Sequence, residues 1–144
     1  MTFGIASIPS TGTGFSRKLF GLDYRHIDAG VSWLDFVNSR QIICPMRHPL
    51  EVIKTWRAVR TPSAEDVFGC FDALLRFKVS FWLPIDAPGV RDKYLDKISE
   101  AMGRRFETDW QKMGSSGQVG FLAEGDEQRA APYIDLYDRV LNEV

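Results

Sequence analysis

A short apolar run at the start of the chain (Phe3, Ile5, Ala6) breaks into a turn rich in Gly and Thr, and the turn leads into Ser16, Arg17, Lys18, Leu19 and Phe20. An extended run, a tight turn and a helix start fix the first unit as strand–turn–helix. The same unit is a natural anion cradle. The first N–H groups of a helix have no intrahelical acceptor, and the helix dipole adds positive potential at that end. Gly12 and Gly14 let the backbone approach an anion, while Thr11 and Thr13 offer hydroxyl donors. The plainer alternative is a Gly-rich turn with no ligand.

The rest of the chain repeats the alternation. Strands are expected over 3–8, 24–27, 41–45 and 79–85, with the apolar run 41–45 as the central buried strand and Pro84 marking an edge. Helices are expected over 15–22, 32–37 (capped by Ser32), 50–60, 90–102 (closed by Gly103) and 133–144. One more is started by Ser63 with Asp66 and carries Val67, Phe68, Phe71, Leu74 and Leu75. Residues 113–125 read as a loop. This pattern predicts an α/β fold: three α/β/α layers around a short, mainly parallel sheet of about four strands, like a P-loop NTPase, in one domain over 1–144. The loops at 9–14, 27–30, 45–49 and 86–89 all follow strands, so they share the edge where such sheets bind ligands.

A net charge of −1 gives no global footprint for nucleic acid or an anionic membrane, so any anion site must be local. Lys54, Arg57 and Arg60 on one helix read as a solvated face rather than a nucleic-acid contact. No apolar run approaches the roughly 20 residues of a membrane span, and no secretion signal is recognisable at the start. Cys44 and Cys70 lie in apolar patterns without metal-ligand spacing and read as buried, reduced thiols, which points to the cytoplasm. Trp33, Trp56, Trp82 and Trp110 read first as core packing, with an acceptor wall or an interface as the alternative.

Arg47 leaves the end of the central strand, and Thr55 follows eight residues later on the next helix. A guanidinium fork beside a hydroxyl suits a phosphate monoester, although a helix-capping Arg and a solvent-facing Thr fit the same spacing. With Pro9, Ser10, Thr11, Gly12, Thr13, Gly14 and Phe15 after the first strand, and Arg47-His48-Pro49 with Thr55 after the central one, the chain resembles the sulfotransferases that use 3′-phosphoadenosine 5′-phosphosulfate (PAPS). Their first loop reads roughly Pro-Lys-Ser-Gly-Thr-Thr-Trp, and their second motif is Arg-x-Pro with a Ser eight residues after the Arg. The resemblance implies that Thr11, Gly12, Thr13 and Gly14 wrap the 5′-phosphosulfate and that Phe15 lies beside adenine. It also implies that Arg47 and Thr55 hold the 3′-phosphate. The segment at Pro84-Ile85-Asp86 and the run from Asp109 to Gly114 resemble two later family segments.

Many family members carry a Thr-His pair a little over twenty residues before the motif Arg, and His26 stands 21 before Arg47. The resemblance therefore suggests His26 as the base that takes the acceptor hydroxyl proton, with a hydrogen-bonded structural histidine as the alternative. Asp28 either orients it or belongs to a turn. Two departures stand out. Ser10 replaces the loop Lys that stabilises the leaving oxygen, for which Arg17, Lys18, Arg25 or Lys112 are the candidate substitutes. Only residues 13–25 separate Gly12 from His26, where larger members build an acceptor pocket, so the acceptor site would be shallow, shared across a homodimer, or absent. The implied activity is sulfuryl transfer from PAPS, without a metal, to a hydroxyl or amine on a small molecule or glycan. The alternatives are a non-catalytic module for 3′-phosphoadenosine nucleotides and a degenerate P-loop kinase. The full Walker pattern fails at Ser7 and Thr13.

Overall fold

The computed structural model describes residues 2–9, 11–27, 33–59, 65–76, 78–113 and 120–143. Its elements in order are β1 (Phe3–Ser7), α1 (Thr13–Phe20), β2 (Tyr24–His26), α2 (Leu34–Asn38), β3 (Gln41–Met46), α3 (Pro49–Val59) and α4 (Glu65–Leu74). They continue with β4 (Phe81–Pro84), α5 (Pro88–Met102), a 3-10 turn (Trp110–Met113) and α6 (Asp126–Asn142). The four strands form one all-parallel sheet in the order β2-β1-β3-β4, as the alternating sequence pattern requires.

The chain moves one way from β1 to β2 and the other way from β3 to β4. Right-handed crossovers then place α1 on one face of the sheet and α2 to α4 on the other. Contacts group the remaining elements accordingly. Phe106, just past α5, packs edge-on against Phe20 of α1 with ring centroids 4.9 Å apart. Tyr133 of α6 stacks on Phe71 of α4 at 4.7 Å. Between the layers Ile5, Ile42, Ile43 and Leu83 are fully buried, flanked by Ile53 of α3 and Ile98 of α5. Trp33 and Trp56 are core residues, and the thiols of Cys44 and Cys70 are buried and unbridged.

One detail of β3 shapes the ligand edge. The Ile42 and Met46 carbonyls accept from Ser80 and Ile85 on the β4 side, so Pro45, of opposite parity, faces β1 without an N–H to give. The β1–β3 ladder runs from Phe3↔Gln41 to Ile5↔Ile43. Beyond it β1 stays paired with β2 as far as Ser7↔His26, and β3 with β4 as far as Met46↔Pro84. The sheet therefore parts between β1 and β3 at its carboxyl edge, where the chain also reverses direction.

Several boundaries differ from the sequence expectation. Helix α1 begins at Thr13, two residues early, because Gly12 at φ 84° turns the chain straight into the helix. It stops at Gly21, also left-handed at φ 64°. Helix α6 begins at Asp126 rather than 133, with Pro132 inside it. Pro132 is exposed, whereas Asp126, Ala130, Tyr133, Leu136, Tyr137 and Val140 form a continuous buried face. Packing along that face outweighs one missing backbone bond at the solvent side. Strand β4 is shorter than expected, and Leu75, at 46% exposure, lies outside the buried stripe of α4. The expected caps Ser32 and Ser63 lie outside the described residues, as do 114–119 of the expected loop. The rest of that loop is strapped onto α3. A Cβ at Gly120 would overlap the Lys54 carbonyl, and Arg57 Nη1 donates to the Phe121 carbonyl at 3.3 Å. Arg57 also pairs with Asp126, both side chains being nearly buried, and its second nitrogen reaches the other carboxylate oxygen at 3.0 Å.

Candidate functional site

The parting of β1 and β3 is a topological switch point, the place where open α/β sheets bind ligands. The loops carrying both sequence motifs flank it. Thr11 and Arg47 line the same small cavity, about 20 Å³, together with Ile8, Cys44, Pro45 and Met46. Val52, Phe71, Leu74 and Leu136 also line it, so at about one water molecule's volume it is a gap in the packing beneath α3, α4 and α6 rather than a pocket for an organic group.

In the first loop the hydroxyls turn inward. Thr11 Oγ1 donates to the Ile8 carbonyl at 2.6 Å, and the hydroxyls of Ser7 and Thr13 share a hydrogen bond at 2.5 Å. All three side chains are buried. Ser16 shares the inner face of α1 with Thr13 and Phe20, and its buried hydroxyl has no partner among the described residues. The sequence reading put Thr13 and Gly14 in a loop and began the helix at Phe15, but all three form the first turn of α1, so their N–H groups belong to the unbonded start of the helix. The two glycines have different roles. Gly12 supplies the left-handed turn, whereas Gly14 is exposed with nothing within 4 Å of a Cβ, leaving the mouth of the turn open. Ser10 lies outside the described residues.

On the β3 side the structure brings Arg47 and Thr55 together as the spacing predicts. Arg47 Nη1 lies 3.5 Å from Thr55 Oγ1, and both residues are half-buried. A contact this long is weak, and a phosphate oxygen would displace it readily. His48 is a capping residue: its Nδ1 accepts from the Leu50 N–H at 3.2 Å, which leaves the proton of the neutral ring on Nε2. Its own N–H donates to Asp86 Oδ2 at 2.9 Å, and Asp86 Oδ1 accepts the Tyr137 hydroxyl at 2.6 Å. Burial, then the bond to Asp86, pushes the Tyr137 phenol far above its ordinary range, so it remains a donor.

His26 ends β2 on the same edge, opposite Ser7 of β1, and is exposed, with its ring 5.3 Å from that of Tyr24. Asp28 lies outside the described residues, as does the side chain of Lys112. The other proposed substitutes for the loop lysine lie away from the crevice. Arg17 and Lys18 occupy the last turn of α1, with Arg17 over the Tyr24 ring, and Arg25 lies over Phe36. The sequence reading missed Arg91 and gave Trp110 no partner. Arg91 stands in the first turn of α5, 4.3 Å over the Trp110 ring, and Trp110 meets Phe15 at 5.4 Å. The only signal for Arg91 was its place just after the strand-ending turn at 86–89. Cys44 also lines that gap, but burial pushes its thiol far up and keeps it protonated, so it is no nucleophile.

Comparison with models of protein families, with curated proteins and with solved structures finds no match. Among the described residues, no helix is long and apolar enough to cross a membrane.

Proposed function

We propose that the protein binds a 3′-phosphoadenosine nucleotide across the β1–β3 crevice and transfers a sulfuryl group from PAPS to a hydroxyl or amine acceptor. The observation that supports this reading is that two candidate anion-binding elements flank one switch point: the start of α1 after β1, and Arg47 with Thr55 after β3. The N–H groups at 13–15 hold the 5′-phosphosulfate, and the Arg47 fork with the Thr55 hydroxyl holds the 3′-phosphate. Phe15, buttressed by Trp110, flanks the base. His26, exposed on the same edge, takes the acceptor proton. The donor supplies the activated sulfuryl group, and the chain contributes position and charge neutralisation. Ser10 stands where the resembled family has its lysine and offers a hydroxyl there in place of the cation. The reaction would run in the cytoplasm on a small-molecule or glycan acceptor, with a second copy of the chain completing a site too shallow in one copy.

A second reading, a binding module without turnover, is favoured by one observation. Arg17 lies over Tyr24, Arg25 over Phe36, and Lys18 stands in the last turn of α1, at the opposite end of the helix from the anion-facing N–H groups. Calorimetric titration separates the readings from a kinase. Adenosine 3′,5′-bisphosphate should bind the wild type better than ADP or ATP with magnesium, and Arg47→Ala should lose that preference. Metal-dependent binding of ATP alone would sink the sulfonucleotide reading. Sulfate release from PAPS, with and without an acceptor, then distinguishes enzyme from module.

A further inference from the structure

The hydrogen-bond knot behind Arg47 carries an inference that rests on the functional reading above and deepens it. Arg47 sits between two residues whose backbones are tied to the end of β4. The Met46 carbonyl accepts from the Ile85 N–H at 2.9 Å, and the His48 N–H donates to Asp86 Oδ2 at 2.9 Å. The same His48 builds the start of α3, the helix that carries Thr55. Its Nδ1 caps the Leu50 N–H, and its carbonyl accepts from the N–H groups of Glu51 and Val52 at 3.0 and 3.2 Å. The root of the guanidinium and the helix of its hydroxyl partner therefore hang on one residue. Asp86 fixes that residue, and Tyr137 fixes Asp86 from α6 by bonding its other oxygen and setting its ring 5.2 Å from the His48 ring. An unengaged carboxylate this close would oppose an incoming anion. Here each carboxylate oxygen already accepts a hydrogen bond, one from backbone and one from phenol, which partly compensates its charge.

We propose that Asp86, oriented by Tyr137, is the positioning residue that holds Arg47 against Thr55 and so sets how strongly the site prefers a nucleotide with a second phosphate monoester. The test is calorimetric titration of adenosine 3′,5′-bisphosphate and of adenosine 5′-monophosphate against wild type, Tyr137→Phe and Asp86→Asn. The ratio of the two affinities should fall about tenfold in both variants, while affinity for the monophosphate stays within about twofold of wild type. A merely structural role would weaken both ligands together. Tyr137→Phe removes a single oxygen, so it decides the matter even if Asp86→Asn folds poorly. A ratio that survives both substitutions, whether neither ligand weakens or both weaken equally, overturns this inference alone. A wild type that does not discriminate between the two nucleotides overturns the functional reading and this inference with it.

Discussion

The two loops that flank the crevice are built in opposite ways. At the end of β1 the hydroxyls of Ser7, Thr11 and Thr13 are buried and bonded within the loop, and the loop faces outward with backbone N–H groups. At the end of β3 the candidate ligand groups, Arg47 and Thr55, are half-buried side chains, and the backbone beneath them is held from outside by the end of β4 and by α6. The first arrangement is local and self-sufficient. The second depends on residues far away in the sequence, so damage at a distance should reach Arg47 and Thr55 before it reaches the turn at Gly12.

The largest expected effect tests that dependence at its anchor. Asp126→Ala leaves the Arg57 guanidinium nearly buried without its carboxylate, which should cost about 3 kcal/mol in chemical denaturation at neutral pH. The hydrogen bond from Arg57 holds the Asp126 carboxyl below its ordinary 3.8. A depressed folded pKa means that the pair's contribution is complete above that ordinary value and is lost as pH falls through the lowered one. The gap in stability between wild type and variant should therefore be constant near neutrality and narrow only in acid below the ordinary carboxyl value.

Next comes Arg47→Ala, which should reduce the preference for adenosine 3′,5′-bisphosphate over the 5′-monophosphate about 30-fold in calorimetry, as loss of charge-assisted hydrogen bonds does. Thermal stability should change little, because Arg47 is only half-buried. Ser7→Ala should do the reverse. Losing the buried partner of Thr13 should cost about 1 kcal/mol in a urea titration and leave the nucleotide preference intact. If Ser7→Ala instead removes the preference, the two loops are not independent and the contrast fails. The smallest stability effect belongs to Gly14→Ala. No atom lies near a Cβ there, and Ala is the better helix former, so stability should stay level or rise by up to about 1 kcal/mol. Affinity for the bisphosphate should still drop, because the methyl group narrows the mouth of the turn.

Most of the fold was legible because its signals are local. The run 41–45 is apolar on both faces, as an interior parallel strand must be, and it became β3. Gly103 closed α5 in a left-handed conformation at φ 70°, as a C-terminal Gly does. Helix α6 was misread at its start for an equally physical reason. Pro132 is a strong local breaker, and only the packing of Asp126 and Ala130 beneath it reveals that the helix runs through. At the site, the eight-residue step from Arg47 to Thr55 follows from a turn and two helical turns, so the pair could be anticipated. Asp86 meeting His48 and Tyr137, or Arg91 meeting Trp110, could not. Those partners come from different elements, and their spacing in the chain carries no period.

The sequence by itself determined the alternation of strands and helices, the glycine-rich turn after the first strand and the placing of two candidate anion-binding motifs after two strands. Each follows from short-range sterics and from hydrophobic periodicity. Only the tertiary structure decided that those two strands are neighbours that part at their carboxyl ends, and that Pro45 faces the opening. Only it decided that α6 reaches back to brace the loop of Arg47. Strand order and helix docking are set by burying faces contributed by distant parts of the chain, and no local stretch contains that information.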